Sequence, residues 1–193
     1  MPGFKKNARV VVVGAGPVGM VCALALNKRG VSVTVLEQEP APVEDQRAAT
    51  IHPTSLEMLD EIGVTDKIIP LGLVSTTYRF HDRVSGTVVA EFDLGRLKDE
   101  LRFPFVVQYE QYKMTATIAA EYGNASDFDV RFSHTVTALK QTADGVELEL
   151  STPGGVEKMT ADYVIGCDGG RSTVRKLRSE EHTSELQSHS FIS

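Results

Sequence analysis

The order of hydrophobic and polar positions predicts an α/β protein. Residues Arg9–Val13 form a nearly continuous β-branched run, which is typical of a strand buried on both faces of a parallel sheet that helices cover. A helical pattern follows over Met20–Arg29 and ends at Gly30, and Val31–Leu36 is the next strand. This order of strand, helix and strand predicts a Rossmann-like βαβ unit.

The middle of the chain follows a different pattern. Prolines interrupt residues 38–51, which predicts a long loop, and a helix is predicted over residues 53–63. Short alternating runs at Thr76–His81 and Thr87–Phe92 predict antiparallel strands. We therefore expect an antiparallel insertion, part of a substrate domain, beside the parallel sheet.

The last third of the chain returns to the pattern of the first. Residues Gln108–Tyr122 have helical spacing, and Asp129–Phe132 supplies a further strand of the parallel sheet. Tyr163–Gly166 is one more buried strand. Between them, turns separate three strands of a predicted β-meander. These strands are Thr135–Gln141, Val146–Ser151 and Val156–Ala161.

A glycine motif joins the first strand to the first helix. Gly14 allows a tight turn, Gly16 lets the backbone approach a pyrophosphate, and Gly19 lets helix and strand pack closely. The helix N-terminus offers N–H groups and the positive end of the helix dipole. Glu37 ends the second strand, where a carboxylate can accept hydrogen bonds from ribose hydroxyls. The motif predicts dinucleotide binding and leaves NAD and FAD open.

Composition and charge argue against several other classes of function. The 193 residues are 41% hydrophobic and 24% charged, as in a globular domain, and the net charge of -6 disfavours nucleic-acid binding. No apolar stretch reaches the roughly 20 residues of a membrane helix. Cys22 and Cys167 form no CxxC pair, so neither a disulfide framework nor a dithiol centre is predicted, and a cytoplasmic location fits best.

Two further segments carry a family resemblance. The first is RAATIHPTSLEML over residues 47–59, and the second is CDGGRSTVR over residues 167–175. With the glycine motif and Glu37, they make residues 8–177 resemble the FAD-dependent, NAD(P)H-using aromatic-ring monooxygenases. This group contains para-hydroxybenzoate hydroxylase, phenol hydroxylases and hydroxyphenylpropionate hydroxylases.

The resemblance implies FAD as cofactor, NAD(P)H as co-substrate, oxygen and a small phenolic or other aromatic substrate. It implies that Arg47, after the second strand, and Gln108, at the start of a later helix, contact the FAD diphosphate or ribityl chain. It places Asp168, with Gly169, close to the ribityl and pyrophosphate region. It assigns no catalytic residue, because the cofactor activates oxygen while the protein orients the substrate and excludes water. The whole enzyme can be a homo-oligomer.

The sequence shows no catalytic triad, metal-ligand cluster or paired carboxylates. We interpret the histidines as turn or surface residues and the tyrosines as core residues, although a tyrosine could approach a phenolic substrate. The residues concerned are His52, His81, His134, Tyr78, Tyr109 and Tyr112.

The family pattern predicts four segments and an incomplete enzyme. Residues 1–70 form the FAD-binding βαβ part, 71–105 the inserted strands and 106–177 the rest of the FAD-binding domain. The family's later Gly-Asp-Ala-Ala-His signature is absent, so we expect a truncated, inactive chain. Residues 178–188 match an in-frame translation of a widely used sequencing adapter. This match favours a non-native or disordered tail over 178–193, with a natural polar tail as the alternative.

Two other functions stay open at this point. The first is another FAD oxidoreductase of the same fold, such as an epoxidase, a halogenase or a reductase. The second is a non-catalytic dinucleotide-binding module, which would bind nucleotide without oxidising NAD(P)H.

Overall fold

The structure, a computed structural model, describes residues 8–44 and 48–178. The chain divides into two compact units. The first comprises Met1–Val43 with Thr115–Ser193, and the second is Glu44–Met114. Apart from Arg178, the predicted tail lies outside the described residues.

The described chain contains 13 strands and five α-helices. The strands are β1 (Arg9–Val13), β2 (Ser32–Leu36), β3 (Thr50–Ile51), β4 (Leu73–Ser75), β5 (Thr77–His81), β6 (Val88–Asp93), β7 (Val106–Gln108), β8 (Asn124–Ala125), β9 (Phe128–Arg131), β10 (Thr135–Gln141), β11 (Val146–Thr152), β12 (Gly155–Ala161) and β13 (Tyr163–Gly166). The helices are α1 (Pro17–Asn27), α2 (Pro53–Glu61), α3 (Thr65–Ile68), α4 (Gln111–Tyr122) and α5 (Thr173–Leu177), with short 3-10 helices at Ile69–Leu71 and Leu94–Leu97.

The first unit is built on a five-stranded sheet in the order β13-β1-β2-β9-β8. Strands β13, β1, β2 and β9 are parallel, and β8 pairs antiparallel with β9. Val10 pairs with Val33 on one side and with Tyr163 on the other. The chain therefore crosses through α1 from β1 to β2, and β1 lies between β2 and β13.

The two faces of this sheet are covered differently. Helix α1 packs on β1 and β2. On the opposite face, Val11 and Val13 join a core cluster with Leu148 and Leu150 of the antiparallel meander β10-β11-β12. Val10 and Val12 are equally buried, and because alternate residues of a strand point to opposite faces, they lie on the helix side. Burial of β1 on both faces is thus as predicted, with a helix covering one face and a β-sheet covering the other.

The second unit contains two small antiparallel sheets. One has the order β3-β7-β4 and the other is the hairpin β5-β6, close to the two strands that the alternating runs predicted. Helices α2 and α3 pack against each other, with Leu56 and Ile68 completely buried. The predicted fold class, a parallel sheet with helices, a meander and an antiparallel segment, is confirmed.

The start of the predicted helix at Gln108 is wrong. Gln108 is the last residue of β7, and α4 begins three residues later at Gln111. Val107 pairs with Ile51 on one side and with Val74 on the other, and it is fully buried. Pairing on both sides of β7 therefore outweighs the helical spacing, which is a weak local preference.

No helix within the described residues can cross a membrane. The longest, α4, has 12 residues, whereas a membrane-spanning helix needs about 20 predominantly apolar ones.

The packing of the meander on the parallel sheet predicts a large effect of truncating Leu148. This side chain is 2% exposed and lies in the cluster with Val11 and Val13. We expect Leu148→Ala to lower the free energy of unfolding by about 2 to 5 kcal/mol, measured by urea denaturation, because it removes buried contacts and leaves a cavity. Val156→Ala is the matched control, because Val156 is 72% exposed. Its expected change is within about 0.5 kcal/mol, and equal effects of the two variants would contradict this packing.

Candidate functional site

The turn after β1 is tight because two of its glycines leave no room for a side chain. Gly14 has a φ of 104°, in the left-handed region, and its N–H donates to the carbonyl oxygen of Leu36 at 2.7 Å. A Cβ on Gly14 would lie 2.5 Å from the carbonyl oxygen of Cys167, and one on Gly19 would overlap the carbonyl oxygen of Gly14. The first turn of α1 therefore packs closely against the ends of β1 and β13.

Gly16 has a different role, because it borders open space. It is the N-cap of α1, and a Cβ placed on it would meet no atom within 4 Å. Pro17 opens the helix, no acidic residue lies in its first turn, and the hydrogen bond from the Met20 N–H to the Gly16 carbonyl is 2.9 Å. The N–H groups ahead of Met20 and the positive end of the dipole are therefore suited to an anion.

Glu37 lies beside this turn and is held by two backbone N–H groups. Its Oε2 accepts a hydrogen bond from Ala15 at 2.7 Å, and its Oε1 accepts one from Glu39 at 3.0 Å. A carboxylate has about four acceptor positions, so two stay available for hydroxyl donors. The structure thus brings together Glu37 and the three predicted glycines.

Asp168 forms the other side of the turn. The N–H of Cys167 donates to the Val13 carbonyl at 2.7 Å, which fixes the chain just before Asp168. The Asp168 carboxylate accepts hydrogen bonds from the Ser172 hydroxyl and the Thr173 N–H, both at 2.6 Å, and from the Val174 N–H at 3.1 Å. Asp168 therefore shapes the corner that leads from β13 into α5, and we call residues 167–172 the Asp168 corner.

Ser172, which carried no predicted role, stabilises the Asp168 corner. Its hydroxyl donates to Asp168 and accepts the N–H of Arg175 at 3.1 Å, so it caps α5. Serine is a preferred residue at the position directly before a helix, where its hydroxyl accepts an N–H of the first turn. This preference could have indicated the role of Ser172. Gly169 has a φ of 77° and allows the corner to turn.

Two further residues, Arg47 and Gln108, were predicted to contact the cofactor. Arg47 lies outside the described residues. Gln108 lies in the second unit, where its Oε1 accepts a hydrogen bond from the Thr50 hydroxyl at 2.9 Å. This bond orients the Gln108 carboxamide, whose amino group keeps its donors.

The histidines and tyrosines largely follow their interpretation. His52 and His81 are exposed, and Tyr109 is buried. Half-buried Tyr78 stacks on His52 with ring centroids 6.4 Å apart, and its hydroxyl lies 3.5 Å from His52 Nδ1. The imidazole of His134 lies 2.6 Å from the carbonyl oxygen of Phe132, so it takes part in a local turn.

The two cysteines lie together in the fold, although their separation in sequence did not indicate it. Both are free and half-buried. A hydrogen bond from the Cys167 thiol lowers the pKa of Cys22 to about 7, and burial opposes this shift. The same hydrogen bond, followed by burial, raises the pKa of Cys167. The structure therefore contains a pair of thiols in which Cys22 is the more acidic.

The glycine turn lies in a segment that matches a known protein family. The family model of the FAD binding domain matches residues 7–191. The chain belongs to this FAD binding domain family. The match includes the glycine turn, Glu37 and the Asp168 corner, and together with the relatives below it confirms the resemblance to FAD-dependent monooxygenases.

Individual relatives of this FAD binding domain are monooxygenases. Para-nitrophenol 4-monooxygenase from Pseudomonas sp. (strain WBC-3) is 31% identical over 86% of this chain and 41% of that protein. Rifampicin monooxygenase from Rhodococcus hoagii is 34% identical over 88% of this chain and 33% of that protein. The crystal structure of p-nitrophenol 4-monooxygenase PnpA from Pseudomonas putida DLL-E4 matches with a TM-score of 0.84 and 32% identity, over 88% of this chain and 43% of that chain. The chain thus spans less than half the length of these relatives.

The residues present fit the adenosine diphosphate half of FAD. A pyrophosphate needs N–H donors and close backbone approach, which the α1 N-terminus and the open space at Gly16 provide. A ribose needs a hydroxyl acceptor, which Glu37 provides while its carboxylate is held by Ala15 and Glu39.

The thiol pair next to this site predicts an unusual pH dependence of alkylation. Because only a thiolate reacts with iodoacetamide, the rate at Cys22 should rise with pH through a midpoint near 7, the pKa that the hydrogen bond sets. Replacing Cys167 by Ala removes the donor, so the midpoint should move up toward about 8.5, the value of a free cysteine. The measurement is mass-spectrometric peptide mapping after timed alkylation from pH 5 to pH 10. An unchanged midpoint in Cys167→Ala would contradict the hydrogen bond.

Proposed function

We propose that this chain binds the adenosine diphosphate half of FAD within a flavoprotein monooxygenase. The whole protein uses NAD(P)H and oxygen to hydroxylate an aromatic, phenolic substrate. One observation carries the binding proposal: the hydrogen bond from the Ala15 N–H to Glu37, at 2.7 Å, fixes the ribose acceptor beside the helix N-terminus. Such an arrangement matches the two polar parts of an adenosine diphosphate group.

Each part of the turn has a distinct task in this proposal. Gly14 and Gly19 allow close packing, Gly16 leaves room for the pyrophosphate, and the first N–H groups of α1 donate to its oxygens. Glu37 accepts the hydroxyls of the adenosine ribose. Bound FAD supplies the redox chemistry, and these residues contribute by holding the cofactor in a fixed orientation.

Four further residues are proposed to contact the cofactor beyond its adenosine. Arg47 would pair with the diphosphate, because a guanidinium donates two parallel hydrogen bonds to phosphate oxygens. Gln108 would donate its amide N–H groups to hydroxyls of the ribityl chain, its oxygen being bonded to Thr50. Asp168 and Gly169 would approach the ribityl and pyrophosphate region through the backbone of the Asp168 corner, since the carboxylate of Asp168 is occupied by Ser172, Thr173 and Val174.

The proposed reaction rests on the relatives rather than on a described catalytic residue. The relatives named above are monooxygenases. The name of one of them contains para-nitrophenol, which is a phenol. This chain matches 41% of the para-nitrophenol enzyme and 33% of the rifampicin enzyme. We therefore propose the reaction type, which is hydroxylation of a phenolic ring with NAD(P)H and oxygen.

The binding proposal predicts which nucleotides the protein recognises. We expect FAD and ADP to compete for one site and FMN not to bind there, because FMN lacks the adenosine diphosphate group. Replacing Glu37 by Gln should weaken both FAD and ADP by about 10- to 100-fold, since a hydrogen bond to a charged group contributes about 1.5 to 3 kcal/mol. The measurement is a calorimetric titration with each nucleotide.

Glu39→Gln is the matched control for this substitution. Glu39 has the same side chain two residues away, and only its N–H contacts the Glu37 carboxylate. An exposed carboxylate contributes little to binding, so we expect affinity to change by about twofold or less. Equal weakening by both substitutions, or tight FMN binding, would contradict an adenosine diphosphate site at Glu37.

The reaction proposal needs the whole protein. We expect a phenol to accelerate NAD(P)H oxidation, with oxygen uptake and an added hydroxyl on the ring, measured by absorbance, an oxygen electrode and mass spectrometry. An epoxide or a halogenated product would instead indicate another FAD oxidoreductase. Nucleotide binding without NAD(P)H oxidation in the presence of any phenol would indicate a non-catalytic module.

A further inference from the structure

The two cysteines of the chain occupy facing positions on two different elements. Cys22 lies in α1, one turn after Gly19, and Cys167 directly follows β13 and opens the Asp168 corner. Residues three apart in a helix lie on the same face. Gly19 faces Cys167 closely: a Cβ on Gly19 would lie 3.3 Å from the Cβ of Cys167. Cys22 therefore belongs to the part of α1 that faces Cys167.

The thiols are close enough to interact directly. Cys22 lies one turn after Gly19, where an ideal Cβ would be 3.3 Å from the Cβ of Cys167, and both cysteines are free. Each side chain is half-buried, so a small solute can reach the pair while the surrounding protein limits access to larger thiols. The sequence contains two cysteines in total, so an internal disulfide can form only between these two.

We propose that Cys22 and Cys167 form a peroxide-sensitive dithiol, in which oxidation creates a disulfide between α1 and the Asp168 corner. The oxidant is hydrogen peroxide. This inference rests on the thiol contact and holds whether or not the proposed reaction is correct.

The chemistry assigns different roles to the two sulfurs. The Cys22 thiolate attacks one peroxide oxygen, the O–O bond breaks, and Cys22 becomes a sulfenic acid as hydroxide leaves and takes up a proton to form water. Cys167 then loses its proton and attacks the Cys22 sulfur. The S–S bond forms, the S–O bond breaks and a second water leaves, so two thiols are oxidised while the peroxide takes up two electrons.

The electrostatics of the pair support this assignment. The hydrogen bond from Cys167 lowers the pKa of Cys22 to about 7, so much of Cys22 is thiolate near neutral pH. The pKa of Cys167 is raised by that hydrogen bond, by burial, by the Cys22 charge and by Asp168. Oxidation of Cys22 to a sulfenic acid removes its negative charge. The pKa of Cys167 then falls, so Cys167 is easier to deprotonate.

The disulfide would join two segments that the fold already holds in contact. It closes a loop between α1 and the Asp168 corner, which restricts the unfolded chain more than the folded one. Its direct structural consequence is therefore greater resistance to unfolding, with the Asp168 corner fixed against the helix that follows the glycine turn.

The first experiment maps disulfides after peroxide treatment of the full chain. Purified protein is exposed to a small excess of hydrogen peroxide, alkylated and digested without reduction. We expect a cross-linked peptide pair containing Cys22 and Cys167, and a melting temperature raised on the order of 10 °C, which reduction reverses. Disulfide-linked dimers, or sulfinic acid at Cys22 without the internal cross-link, would overturn the proposal.

Single substitutions then separate the attacking sulfur from the resolving one. Cys167→Ser keeps a hydroxyl donor but removes the resolving thiol, so dimedone should trap a sulfenic acid at Cys22. Cys22→Ser should leave Cys167 unlabelled, and neither variant should show the rise in melting temperature. Dimedone labelling of Cys167 in Cys22→Ser, at the rate seen for Cys22 in Cys167→Ser, would overturn the assignment of roles.

Discussion

The lack of a Cβ at Gly14 and Gly19 is the constraint on which the first unit depends. Because Gly14 tolerates a left-handed backbone and Gly19 lies on the Gly14 carbonyl, the first turn of α1 contacts both β1 and the end of β13. A side chain at either position would push the helix away from the sheet. The N-terminus of α1 would then move away from the glycine turn, and the Asp168 corner would no longer pack against Gly14 and Gly19. Close packing and anion binding are therefore two results of one steric fact.

Two carboxylates organise the chain around this turn, and they do so differently. Glu37 accepts hydrogen bonds from two backbone N–H groups, and its other acceptor positions are available to a ligand. Asp168 is bonded to Ser172, Thr173 and Val174, so it acts mainly through the shape of the backbone that it fixes. The two carboxylates therefore have different roles: one keeps acceptors for a ligand, and the other holds the backbone.

Local signals predicted much of the fold, whereas contacts between distant segments were less accessible. The glycine motif, Glu37 and the strand at Arg9–Val13 could be read from the sequence, because each follows from the steric needs of a few neighbouring residues. Gln108 was placed in a helix because its two-sided pairing in β7 depends on partners more than 30 residues away. The contact between Cys22 and Cys167 had no local signal at all, since it arises from the parallel pairing of β1 with β13.

That same pairing has a consequence for the synthesis of the protein. The N–H of Arg9 donates to Asp162 across a separation of 153 positions, and Val10 pairs with Tyr163. At about 5 to 20 residues per second, a ribosome needs roughly 10 to 30 s to make the intervening chain. β1 can pair with β2 early, but its other edge waits for a strand that is made much later. During this interval the newly made sheet carries an open edge, which can pair with exposed strands of other chains.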